Sequence, residues 1–157
     1  MRVLKGVLIP LALGLSTFAN AQTTTTKAAV NSLRKLRPTT TWNIQSARQA
    51  DVDCDSKPDT IVLGSEKGKV IVGVSWGTTS KQPQTFAFTI RADTQDGFCA
   101  APTMIEVEPL DCQSDEGKLP GCKVVKGCKA FSLSDQKCDP FNFYWDAARK
   151  QLAWWRL

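Results

Sequence analysis

The chain has no histidine, one tyrosine and two methionines in 157 residues. The missing imidazole excludes most. Without it, Ser-His-Asp and Cys-His nucleophile and base pairs cannot be assembled, nor can a His-ligated zinc. No two cysteines stand in a C-x-x-C spacing, so a zinc knuckle is also excluded. No segment reaches the roughly 20 consecutive apolar residues of a membrane helix. No motif recurs at the period of 20 to 50 residues that marks repeat architectures. The formal net charge of +5 is too mild to argue for nucleic acid as a partner.

What is present begins with an export signature. Arg2 and Lys5 give a basic start, Val7 to Phe18 an apolar stretch, and Ala19-Asn20-Ala21 a small-x-small cleavage site. This predicts a signal peptide over residues 1–21, a mature chain from about Gln22, and a periplasmic or extracellular location without stable membrane insertion. No cysteine stands at the cleavage site, so a lipid anchor is not expected. Loss of Arg2 and Lys5 takes the charge from +5 to +3. The remaining length suits one domain.

All six cysteines, Cys54, Cys99, Cys112, Cys122, Cys128 and Cys138, lie in the mature part, and an even count in an exported chain reads as three disulfides. Fifteen pairings are possible. Short loops favour Cys112 with Cys122 and Cys128 with Cys138, leaving Cys54 with Cys99.

Residues 22–40 read as a polar threonine tether followed by a short helix. Ala29, Leu33 and Leu36 recur at helical spacing over Lys27 to Leu36, and Arg37-Pro38 ends the helix. From residue 41 to 157 the period becomes two, and the expectation is one mostly β domain, an antiparallel sheet or sandwich, stapled by disulfides. Lys69 to Trp76 is the clearest strand, with Val70, Val72, Val74 and Trp76 on one face. It pairs as a hairpin with Thr60 to Leu63. Strands are also predicted near Thr41 to Ile44, Thr85 to Ile90, Met104 to Val107, Lys129 to Leu133, and in a C-terminal hairpin. Gly97 to Cys99 reads as loop, and Pro109 to Gly127, rich in glycine and cysteine, as largely irregular.

One run carries chemistry. Asp51-Val52-Asp53-Cys54-Asp55-Ser56-Lys57-Pro58-Asp59 places aspartates at positions 1, 3, 5 and 9 and leads directly into a strand. Alternating carboxylates at that spacing, with one backbone carbonyl, suit a hard divalent cation that takes six to eight oxygens. The competing reading is an Asp/Ser/Pro turn with exposed acids and no metal. The run resembles the calcium loop of FG-GAP and VCBS-type repeats, DxDGDGxxD, and more distantly the first nine positions of an EF-hand loop. The resemblance covers residues 51–64. It implies Ca²⁺ held by the side chains of Asp51, Asp53, Asp55 and Asp59 and the carbonyl of Lys57. Cys54 and Ser56 stand where the pattern has glycine, and Val62 stands where an EF-hand has its bidentate Glu, which excludes the helix-loop-helix form.

No catalytic constellation is expected. Glu106 and Glu108 share a strand face at a separation compatible with glycoside hydrolysis. Solvent-facing strand residues have the same spacing. Lys57 and Arg48 are the basic groups near the Asp run that a metal-dependent hydrolase would recruit. Binding is the favoured role. Trp145, Trp154 and Trp155 in the C-terminal hairpin are either core or interface anchors. Lys123 and Lys126 belong to a basic cluster that suits an acidic partner or forms a solvated face. The expected function is a non-catalytic exported binding module, a hydrolase inhibitor or immunity-type protein, with a protein partner. A carbohydrate or cell-surface module is the alternative, and a metal-dependent hydrolase the third reading.

Overall fold

The computed structural model describes residues 17–78, 80–91, 97–102 and 104–156, with side chains from residue 25 onward. The greater part of the predicted signal segment, residues 1–16, lies outside the described residues. The fold is mostly β: among the described residues one helix, α1 (Thr17–Leu36), precedes eleven strands. These are β1 (Thr41–Ala50), β2 (Asp59–Glu66), β3 (Lys69–Ser75), β4 (Gln84–Ile90), β5 (Gly97–Phe98), β6 (Met104–Pro109), β7 (Gln113–Ser114), β8 (Gly117–Lys118), β9 (Lys129–Ser134), β10 (Phe141–Asp146) and β11 (Gln151–Trp155). A five-stranded sheet runs β1-β2-β3-β4-β5, a four-stranded sheet β11-β10-β9-β6, and β7 pairs with β8. All pairings are antiparallel except β4 with β5.

The hairpin β2–β3 forms as its alternation predicts, and its strands run on past Leu63 to a tight turn. Glu66 pairs directly with Lys69, and Lys67 (φ 46°) and Gly68 (φ 75°) make a two-residue turn with both central residues left-handed. That geometry matches the twist of the flanking strands. The inner faces of β2 and β3 present Ile61, Leu63, Val70, Val72 and Val74 to the second sheet, which supplies Ile105, Phe131, Leu133, Phe141, Phe143 and Leu152. Phenylalanines dominate the contact. Phe131 stacks on Phe143 at 4.6 Å, and Phe88 meets Phe98, Phe141 and Phe143 between 4.5 and 6.1 Å.

The outer face of the same hairpin is covered by α1. Val30 and Leu33 pack on Trp42, Val62 and Ile71, and Gly73 admits the Trp42 ring and Leu33 so closely that a Cβ there would lie 2.7 and 2.8 Å from them. The described helix takes in residues 22–26, read from composition as a tether. Threonine is a poor helix former, but packing decides: Thr26, Ala29, Val30 and Leu33 are buried, whereas Leu36 is exposed. The helix stops with the Arg37 amide donating to Leu33 O, and the Arg37 guanidinium turns to the Glu66 carboxylate at 3.0 Å.

β1 extends six residues past its predicted end. Its register slips between Asn43 and Arg48, where the Ser46 hydroxyl accepts the Leu63 amide and donates to Asn43 O. This bulge separates Trp42, which is buried, from Ile44, which is exposed. Gly97 and Phe98, read as loop, form β5, and β7 and β8 make a small hairpin within the segment expected to be irregular.

The disulfides are Cys54–Cys128, Cys99–Cys138 and Cys112–Cys122. Only the last follows the short-loop expectation; Cys128 with Cys138 and Cys54 with Cys99 do not form. Strand β9 lies between Cys128 and Cys138 and carries them to opposite ends of the sheet, so sequence proximity loses to strand length. Cys138 instead meets Cys99 after β5. Asp135 organises that corner by accepting four backbone amides, from Cys99, Ala100, Lys137 and Cys138, at 2.6 to 3.0 Å. Burial acts to raise its pKa, but the four N–H donors prevail and hold the carboxyl below the usual carboxylate range.

Candidate metal centre and exposed surfaces

The Asp run folds back on itself at the mouth of β2. Carboxyl oxygens of Asp51, Asp53 and Asp59 lie within 4.8 Å of one another and could hold a metal ion. Asp59, fully buried, accepts the Val52 amide at 2.9 Å and the Gly77 amide at 2.8 Å. Asp51 accepts the amides of Asp55 and Ser56, and Asp53 also accepts that of Asp55. Asp55, expected as a ligand, is outside the group of three; its carboxylate accepts the Lys57 amide at 3.0 Å. Lys57 itself is exposed.

The two residues that replace glycine in the calcium-loop pattern adopt the conformation glycine would supply. Cys54 has φ 62° and Ser56 φ 67°. Left-handed backbone at non-glycine residues costs about 1 kcal/mol or more each and persists where surroundings over-determine it. Here the Cys54–Cys128 bridge spans 4.8 Å between Cα atoms, and the Lys129 amide donates to Asp51 O at 2.8 Å. Three hard carboxylates suit an oxygen-seeking divalent cation rather than a soft metal. Burial, with the neighbouring Asp53 and Asp55 charges adding to it, pushes Asp59 up to about 6 although two amides oppose the shift.

One cation is already at this group. The Lys81 ammonium, carried by the β3–β4 connection, forms an ion pair with Asp53. It also sits 5.7 Å from the Trp76 ring and 5.2 Å from the Trp145 ring, which meet edge to face at 5.7 Å. The Trp76 indole N–H donates to Gln82 O at 2.7 Å, fixing the connection. Trp76 lines a groove of about 710 Å³ between α1 and this connection, with Ser32, Lys57 and Lys81 among its walls. Sequence reasoning misses both Trp76 and Lys81 as site residues. Trp76 closes the alternation of the best strand and so reads as core, and nothing in the sequence joins Lys81 to an aspartate 28 positions earlier.

The C-terminal aromatics are divided. Trp145 is buried against the main core, and Tyr144 on the opposite face is buried among Leu110, Cys112, Leu119, Cys122 and Cys128, with Trp155 half-buried beside it. Trp154 packs on Phe88 and Phe141 yet is 38% exposed at the sheet rim. The hairpin is thus sandwiched, and Trp154 is its most accessible ring. Glu106 and Glu108 are exposed on β6, opposite Ser132 and Ala130.

Lys123 and Lys126 lie together on the five-residue loop between Cys122 and Cys128. Every residue of it, Lys123-Val124-Val125-Lys126-Gly127, is exposed, and Val124 reaches 66%. Both flanking cysteines are buried and bridged, to Cys112 and to Cys54. No described helix is long and apolar enough to cross a membrane. Comparison of the chain with protein-family models, with curated proteins and with solved structures finds no match.

Proposed function

We propose that the chain is a non-catalytic binding module of the periplasm or cell exterior, an inhibitor or immunity-type protein acting on a hydrolase. The observation that carries this reading is the Lys123–Gly127 loop: fully exposed, yet held at both ends by disulfides. Exposed apolar residues on a pre-ordered segment are what a partner recognises at low entropic cost. The aspartates that a catalytic reading would recruit are engaged by backbone amides and by Lys81, which suits bracing rather than turnover.

In this reading the Asp run is a calcium loop of the FG-GAP and VCBS kind, with Asp51, Asp53 and Asp59 supplying side-chain oxygens. The ion would offset their mutual repulsion and fix the start of β2. Immobilised wild-type protein is expected to retain a hydrolase from a periplasmic extract, and a Lys123→Ala, Val124→Ala variant to lose it. Equal retention by both would refute the loop. Millimolar Ca²⁺ is expected to raise the melting temperature, and Asp51→Ala, Asp53→Ala to abolish the rise. An unmoved wild type would remove calcium from the reading.

A second reading rests on Trp76. An indole in a groove with lysine and glutamine neighbours also suits a sugar, which stacks on the ring and bonds to the amides. Glycan-array binding lost in Trp76→Ala would favour it.

A further inference from the structure

We infer that the Cys122–Cys128 loop is a substrate-like binding loop for a serine endopeptidase that cleaves after basic residues, with Lys123 filling its specificity pocket. This rests on the inhibitor reading and names its target class. Such enzymes bind a short extended segment across the active-site cleft and recognise the residue before the scissile bond by a carboxylate at the pocket floor. Of the two lysines in the loop, Lys123 is the one that stands outside a turn. Lys123, Val124 and Val125 carry neither helix, strand nor turn. Among the described residues, no ion pair engages Lys123 or Lys126.

Lys126 is the wrong lysine. The Cys128 amide donates to Val125 O at 3.2 Å, and Gly127 has φ 90°, so Lys126 and Gly127 are the two central residues of a tight turn. A curled backbone cannot lie along a cleft. Lys123 precedes that turn and follows a rigid stem. The Tyr144 hydroxyl donates to Pro120 O at 3.1 Å, the Ala147 amide donates to Gly121 O at 2.9 Å, and Cys122 bridges to Asp146 on β10. Gly121 (φ 68°) lies against the Asp146 carboxylate so closely that no side chain fits.

The two disulfides also explain how such a loop would block rather than feed the enzyme. If the enzyme's serine attacks the Lys123 carbonyl, an ester to the enzyme forms, the C–N bond to Val124 breaks, and the Val124 amine takes up the proton. Lys123 remains pinned through Cys122 to Cys112, and Val124 through Cys128 to Cys54. The amine therefore stays beside the ester, displaces it, re-forms the peptide and returns the proton to the serine oxygen. A preordered loop loses little entropy on docking and holds the leaving group in place.

Trypsin and chymotrypsin serve as probes, assayed with chromogenic peptides against the full disulfide-bonded protein. Wild type is expected to inhibit trypsin stoichiometrically and chymotrypsin weakly. Lys123→Ala should raise the trypsin inhibition constant at least about a hundredfold, the loss expected of a central anchor, and Lys126→Ala less than about threefold. Lys123→Phe should transfer inhibition from trypsin to chymotrypsin, which a merely structural role of Lys123 would not produce. Melting temperatures within a few degrees of wild type establish that each variant is folded. Three results overturn the inference: no trypsin inhibition by wild type, rapid cleavage at Lys123 with release of active enzyme, or retention on anionic phospholipid vesicles in place of inhibition. If wild type leaves trypsin active yet still captures a hydrolase that Lys123→Ala, Val124→Ala loses, the inhibitor reading survives and the target class falls. If neither is seen, both fall.

Discussion

The buried Asp59 gives the sharpest test of how the Asp loop is held. Its pKa is pushed from 3.8 to about 6 by burial, with the Asp53 and Asp55 charges adding to the effect. The folded protein therefore binds this proton more tightly than the unfolded chain. The stabilisation is fully present below 3.8 and is lost as pH rises through about 6. The difference between the two values corresponds to about 3 kcal/mol in full. Between pH 5 and pH 7 the same linkage gives about 1.3 kcal/mol, the protein being more stable at pH 5. The window is unusually clean, because the chain has no histidine and its described cysteines are all in disulfides. Urea denaturation in chelator should show the midpoint falling by about 0.4 to 1.3 M from pH 5 to pH 7, taking a slope of about 1 to 3 kcal/mol per M. In Asp59→Asn the fall should disappear, although that variant is less stable throughout, since its amide nitrogen must face either the Val52 or the Gly77 N–H. Saturating Ca²⁺ should also abolish the fall, because a cation binds the ionised form and pulls the titration down. A midpoint unchanged from pH 5 to 7 in chelator would refute the burial argument. A fall that Ca²⁺ leaves untouched would refute the metal assignment alone.

Asp135 should act in the opposite sense at lower pH: its depressed pKa means stability is present above 3.8 and lost as pH falls through the folded value, so acid unfolding monitored by circular dichroism should be blunted in Asp135→Asn. Gly73→Ala forces a methyl group into the Trp42 ring and Leu33, and should cost about 1 to 3 kcal/mol in thermal melts while loosening α1, read as faster amide exchange over residues 26–36. Removing Cys54–Cys128 as a paired serine variant should cost about 4 kcal/mol on the loop-entropy scale for a separation of 74. The same change at Cys112–Cys122, separation 10, should cost about 3 kcal/mol in denaturant titrations.

The strands are legible in the sequence where one face is apolar over a whole element. Val70, Val72 and Val74 announce β3, and Phe141, Phe143 and Trp145 announce β10, because burial between sheets imposes a period of two. β1 is only half legible, since Gln45 to Gln49 carries a bulge held by Ser46 and a bulge destroys the alternation that identifies a strand. The helical state of the threonine tract is hidden for a related reason. Thr23 to Thr26 has no intrinsic helical preference, and the sheet face that α1 covers is assembled from Trp42, Val62 and Ile71, all of them later in the chain. Of the candidate site, the three clustered aspartates are visible as spacing. Lys81, Trp76 and the crossed disulfides are not, because they depend on which loops meet at the sheet ends.

The pairing that the sequence order disfavours joins the two surfaces on which the functional proposals rest. Cys54 lies in the middle of the Asp loop, and its partner Cys128 closes the exposed Lys123–Gly127 loop. The next residue, Lys129, donates its amide to Asp51 O, so the bridge is doubled by a hydrogen bond. The glycine pattern of a calcium loop leaves no side chain at this position. Replacing that glycine by a cysteine, at φ 62°, accepts left-handed strain in return for a covalent tie. A bridge of 74 residues restricts the unfolded chain more than either of the others, and it ends at a segment whose five residues are all exposed. The Asp loop is therefore the anchor of the exposed loop rather than a second site beside it. A cation bound among Asp51, Asp53 and Asp59 would act on the exposed loop through Cys54, which makes the proposed calcium loop and the proposed binding loop two ends of one device.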